Sequence, residues 1–262
     1  MSAVRQTIAM PEDDRRSDRF GHRMDGWPPA LVAALVAVIG IVVAAALLVG
    51  IGLLITKVLT PGPITRWDES VDQWFAARRT ATWNTITDIE SILAGTGTVL
   101  AIAGVTAVIL AFKRLWWEIA FLLIGFAVEL SGFGIAVLVV NRPRPSVPHM
   151  DPLPATSSFP SGHTAAAIVL YVGLSLIISA HTRSRGLHAL LYAIATVLVV
   201  GVAFSRIYRG MHHPTDVMAG VILGTLALTF ALAGARAGAA AARDRHRGST
   251  PAAHEAAHSE VA

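Results

Sequence analysis

Cysteine is missing from all 262 residues of this chain, which removes disulfides, thiolate nucleophiles and cysteine-bound metals from consideration. Charge is scarce too: 15% of residues are Asp, Glu, Lys or Arg, against about 25% in an ordinary globular domain. Aromatics make up only 7%, and no basic run is interleaved with them in the manner of an RNA-binding surface. The formal charge of +4 therefore points away from nucleic acid as a partner and asks for another explanation.

What the chain has instead is hydrocarbon. Hydrophobic residues make up 54%, mean hydropathy is +0.59, and the apolar residues gather in six runs: Ala30–Thr56, Ile92–Phe112, Leu115–Val140, Thr164–Ala180, Leu187–Phe204 and Val217–Gly234. Crossing about 30 Å of bilayer core takes about 20 apolar residues in a helix. The expectation is an all-α integral membrane bundle of six transmembrane helices over residues 30–234, with the fourth and fifth shortest. The first run is too long for a signal-peptide core and follows a polar segment, so it reads as a retained anchor. Residues 1–29 and 235–262, polar and without apolar period, are expected to be mobile tails. Oligomeric state is not readable.

The basic residues set the orientation. With a cytoplasmic amino terminus, thirteen Lys and Arg lie inside and eight outside, and four of those eight are Arg142, Arg144, Arg206 and Arg209. Both termini are then cytoplasmic, and the loops after the third and fifth spans share the extracytoplasmic face. Between the first two spans, Arg66–Arg79 places Trp67, Val71, Trp74 and Phe75 three and four apart. That spacing predicts an amphipathic helix in the membrane interface, or one packed over the bundle mouth.

Chemistry-bearing residues collect in those outer loops. Pro160 can set the first turn of the fourth span, leaving the N–H groups of Ser161, Gly162 and His163 free at a helix N-terminus, a ready site for phosphate. Gly162 lets an anion approach the backbone. His212 and Asp216 are four apart, so a span starting near Pro214 puts them on one face, with the carboxylate holding one ring nitrogen and the other left as nucleophile or base. Arg144 and Arg206 offer planar, permanently charged forks for phosphate oxygens.

The order Arg144-Pro145, then Pro160-Ser161-Gly162-His163, then Ser205-Arg206, five residues, His212, three residues and Asp216 resembles the signatures of the type 2 phosphatidic acid phosphatase superfamily. That superfamily groups membrane lipid phosphatases with vanadium haloperoxidases and glucose-6-phosphatases. The second and third signatures are complete. The first lacks its lysine, whose position is Val137; in the register of Arg142-Pro143 the position is Ile135.

The resemblance implies a metal-independent phosphatase without cofactor, acting on a lipid phosphate or polyprenyl diphosphate such as undecaprenyl diphosphate at the outer leaflet of the cell membrane. His212 would attack phosphorus and become a phosphohistidine, Asp216 would fix its tautomer, and His163 would protonate the leaving oxygen and later activate water. Arg144, Arg206, Ser161 and Gly162 would hold the phosphate oxygens. Arg209, and after it Arg142, are the cations available to replace the missing lysine. A catalytically impaired scaffold or transport component, and a haloperoxidase-like protein, are the alternatives. His149 and His213 are read as interfacial polar residues. Glu129, midway along the third span, is expected to face the bundle interior.

Overall fold

The computed structural model describes residues 26–152 and 156–248, and among these the chain is helical with no strand. Its helices are α1 Pro29–Val58, α2 Pro63–Ala76, α3 Ala81–Leu93, α4 Thr96–Phe112, α5 Trp116–Val140, α6 Gly162–Ala180, α7 Arg185–Tyr208 and α8 Pro214–Gly248. Five of them are long and apolar enough to cross a bilayer. The second expected span is broken: α3 and α4 meet at 46°, and the pair supplies a sixth crossing only when joined. The break falls at Gly95, whose extended backbone caps the start of α4.

One boundary differs from the sequence reading. The expected tail beginning at residue 235 is helical as far as Gly248, because Ala237, Ala240 and Ala241 continue α8 and are buried, in part against Val32 and Val36 of α1. Alanine is the strongest helix former, and hydropathy alone undervalues it. The expected tails at 1–25 and 249–262 lie outside the described residues.

The centre is α1, α5 and α8, each packed on the other two, with Leu48, Val128 and Leu223 fully enclosed. Leu100, Leu138 and Val197 on the outward faces are more than 60% exposed, as lipid-facing positions are. When the surroundings are as apolar as the core, close packing holds helices together, and small residues mark the seams. Gly220 of α8 is such a seam. A Cβ there would lie 2.5 Å from the carbonyl oxygen of Ser161, so glycine lets α8 lie against the start of α6.

Helix α2 closes one end of this bundle, packing on α7 and α8. Pro63 occupies its first turn, and the N–H of Gly62 donates to Thr65 Oγ1 at 3.1 Å. It is amphipathic as expected. Trp67 and Trp74 are about half exposed, at 49% and 51%, while Asp68 and Asp72 are buried at 0% and 1%. The acidic face points inward, and the helix therefore packs over the bundle mouth.

Candidate active site

The site is built where α7 ends and α8 begins. Arg209 caps α7, and Gly210 follows in the left-handed region at φ 72°. The N–H of Met211 donates to Arg206 O at 3.0 Å and that of Gly210 to Ile207 O at 2.9 Å, the paired bonds with which glycine closes a helix. The N–H of His212 also reaches Arg206 O, at 3.2 Å. His212 therefore sits in a short, tightly bonded link between two helix ends.

That placement corrects the expected pairing. Helix α8 starts at Pro214, so His212 lies outside it, and the four-residue spacing to Asp216 no longer sets a shared helical face. Nδ1 of His212 is 4.0 Å from Asp216 Oδ2 but 2.6 Å from the carbonyl oxygen of Ser158. A carbonyl can only accept, so Nδ1 carries the proton and Nε2 keeps its lone pair. Asp216 instead accepts from the backbone N–H of His213 at 2.9 Å, as an acidic residue does in the first turn of a helix, and from Arg142 at 2.5 Å.

Both arginines assigned to phosphate are here. Arg144 donates from one terminal nitrogen to Met211 O at 2.6 Å, and Arg206 donates to Ser91 Oγ at 2.6 Å and Asp151 Oδ2 at 2.7 Å. Each keeps a buried Nε–H with no partner. Buried donors are almost always bonded, so two orphaned guanidinium N–H groups together mark a place suited to an anion.

The start of α6 meets them. Ser161 is its N-cap and Pro160 precedes the cap rather than forming the first turn. Gly162 and His163 open the helix, where backbone N–H groups have no intrahelical partner. Ser161 contributes less than expected: its N–H donates to Asp216 O at 2.9 Å, and its hydroxyl pairs with Thr164 Oγ1 at 3.0 Å. The missing Cβ of Gly162 faces the Phe133 ring, which it would meet at 2.9 Å.

The two candidate replacements for the missing lysine are committed elsewhere. Arg142, 5% exposed, donates to Asp68 Oδ2 at 2.7 Å, Asp216 Oδ1 at 2.5 Å and Thr215 Oγ1 at 2.7 Å. Arg209 donates to Asp151 Oδ1 from Nε at 2.7 Å and from a terminal nitrogen at 2.5 Å, and pairs with Asp88 at 3.0 Å. Long cations near an outer loop suggest phosphate contacts, but buried Asp68 and Asp216 claim Arg142 and half-buried Asp151 claims Arg209 first. His213 is likewise no loose interfacial residue: its Nδ1 lies 2.6 Å from Asp72 Oδ2, and the ring is 4% exposed. His149 has a buried Nε2 without a partner.

These neighbours set protonation. Burial, and then the charges of Arg206 and Arg144, hold His212 well below the usual histidine range, so it stays neutral. Burial works against the charge of Arg142, yet Asp216 and Asp68 outweigh it and raise its pKa. Burial would lift Asp151, but its bonds from Arg209 and Arg206 pull it below the ordinary carboxylate value. Asp68, Asp72, Asp151 and Ser158 escaped the sequence reading. Only the first two left a signal, as acids four apart on the helix face opposite the tryptophans.

Residues 120–237 match the model of the PAP2 superfamily. Phosphatidylglycerophosphatase B of Bacillus subtilis is 33% identical over 116 residues, 43% of this chain and 56% of that protein. An undecaprenyl-diphosphatase of Sulfolobus acidocaldarius is 30% identical over 125 residues, 46% of this chain and 56% of its own. Decaprenylphosphoryl-5-phosphoribose phosphatase of Mycobacterium tuberculosis is 35% identical over 137 residues, 48% and 64%. The match thus spans little more than half the length of these relatives. In fold, a transmembrane PAP2-type phosphatidylglycerolphosphate phosphatase from Bacillus subtilis superposes with a TM-score of 0.64 at 23% identity, covering 71% of this chain and 93% of that one.

Proposed function

We propose that this membrane protein is a phosphatase that removes phosphate from a lipid phosphate or polyprenyl diphosphate through a phosphohistidine on His212. The observation that carries it is the convergence of a neutral, buried His212, whose Nδ1 is already engaged, with the two orphaned Nε–H groups of Arg144 and Arg206. In this reading Nε2 of His212 attacks phosphorus in line with the leaving oxygen, and His163 at the start of α6 gives that oxygen a proton. His163 then takes a proton from the water that cleaves the phosphorus–nitrogen bond. Arg144, Arg206 and the N–H groups opening α6 stabilise the charge on the equatorial oxygens. Ser161 supports the turn more than the phosphate.

The names of the relatives, all phosphatases of lipid phosphates or diphosphates, support the reaction class. The distribution of Lys and Arg supports cytoplasmic termini and an active site at the extracytoplasmic face. The test is phosphate release from phosphatidate, phosphatidylglycerol phosphate and undecaprenyl diphosphate in excess chelator, with an acid-labile phosphoenzyme trapped on His212. Release that stops in chelator and returns with magnesium would refute the metal-independent mechanism.

A further inference from the structure

Between α4 and α5 lies a cavity of about 480 Å³ that ends at His163 and Gly162. Ala103, Gly104 and Ala107 line one side and Leu122 and Phe126 the other, so its walls are almost wholly apolar. Space of this character, leading from the reacting group toward the bilayer, suits a lipid chain.

One wall residue does not suit a plain hydrocarbon. Glu129 lines the cavity, is 2% exposed, and its Oε2 has no hydrogen-bond partner. It lies one helical turn, about 6 Å, from Phe133, and Phe133 rests against Gly162 at the head of the cavity. A carboxylate without a partner at that depth is costly, whereas the carboxylic acid has one O–H to give. A polyprenyl chain offers no acceptor beyond its diphosphate. An ester-linked glycerolipid does: its acyl carbonyl oxygens stand a few covalent bonds of about 1.2–1.5 Å from the phosphate oxygen, and so about one helical turn from phosphorus.

We infer that Glu129 is a specificity-determining residue that donates a hydrogen bond to an acyl ester carbonyl of the substrate, and that the substrate class is ester-linked glycerolipid phosphate. The inference rests on the lipid phosphatase reading above and narrows it. The Glu129 hydroxyl bonds the carbonyl when phosphate lies on Arg144 and Arg206, with the acyl chain filling the cavity between α4 and α5.

The experiment compares kcat/KM of the full-length protein on dioleoyl phosphatidate, its dialkyl ether analogue and undecaprenyl diphosphate. Wild type should favour the ester over the ether by about tenfold, the effect of one ordinary hydrogen bond, mainly through KM. Glu129→Leu should erase that ratio while leaving the ether lipid unchanged, and Glu129→Gln, which keeps a donor, should retain part of it. Equal rates on ester and ether in wild type would overturn the inference, as would a proportional loss on both lipids in Glu129→Leu or a preference for the polyprenyl diphosphate. Folded wild type that releases phosphate from none of these lipids would remove the phosphatase reading itself. Thermal stabilisation by the ester and ether lipids then decides the role of Glu129 separately, through the same ratio in wild type and in Glu129→Leu.

Discussion

Nδ1 of His212 is bonded to the carbonyl oxygen of Ser158 at 2.6 Å, and this backbone contact decides which ring nitrogen is left for chemistry. The arrangement separates two tasks that the sequence motif merges. Ser158 fixes the tautomer, while Asp216, 4.0 Å from the ring, anchors the first turn of α8 and Arg142.

Replacing His212 with Ala should abolish turnover and the phosphoenzyme together. His163→Ala should lose far more on a lipid substrate, with its poor leaving group, than on an activated aryl phosphate, because only the former needs the proton. Parallel losses on both substrates would assign His163 to phosphate binding instead.

The pH profile follows from the lowered pKa of His212. A histidine held neutral by burial and two arginines remains a nucleophile as pH falls through the ordinary value of about 6.5. The acid limb of kcat/KM should therefore lie below that value. Arg144→Ala removes one opposing cation and should shift the limb upward as well as lower the rate.

Arg142 is predicted to act on stability. Asp68→Ala leaves Arg142 with Asp216 as its one carboxylate, and Arg142→Ala leaves the buried carboxylates of Asp68 and Asp216 without its charge; each should cost about 3–5 kcal/mol. Chemical denaturation in detergent measures this. Adding Val137→Lys should not restore Arg142→Ala, since the loss is not one of phosphate binding; recovery of kcat/KM by the lysine would return Arg142 to the phosphate site.

Gly210→Ala should damage activity through position alone. The left-handed φ of 72° disfavours any side chain, and a Cβ there would lie 2.8 Å from Val147. The closing bonds to Arg206 and Ile207 should loosen and His212 should drift, with a loss of about a hundredfold in kcat for an ångström of misplacement. Helix content by circular dichroism should hardly change.

Asp151 shares its carboxylate between Arg206 and Arg209. Asp151→Asn withdraws the negative charge beside the anion site and should tighten inhibition by vanadate, while the rate falls as Arg209 loses one of its two carboxylates. Unchanged inhibition would mean that Asp151 and the anion do not compete for Arg206.

The sequence by itself determined the membrane class and the all-helical fold, because apolar runs of span length are local properties of the chain, and it named Arg144, Ser161–His163, Arg206, His212 and Asp216 as candidates by their spacing. It also determined that α2 is amphipathic. Tertiary structure decided which of its faces turns inward, since that depends on Arg142, Thr215 and His213 offering partners to Asp68 and Asp72 from more than sixty residues away. It decided in the same way that Arg142 and Arg209 are held by carboxylates, that a backbone carbonyl rather than Asp216 holds His212, and that α8 continues past Gly234. A buried charge takes the nearest counter-charge the fold supplies, and a helix runs as far as packing covers it. Neither is written in the spacing of residues along one segment.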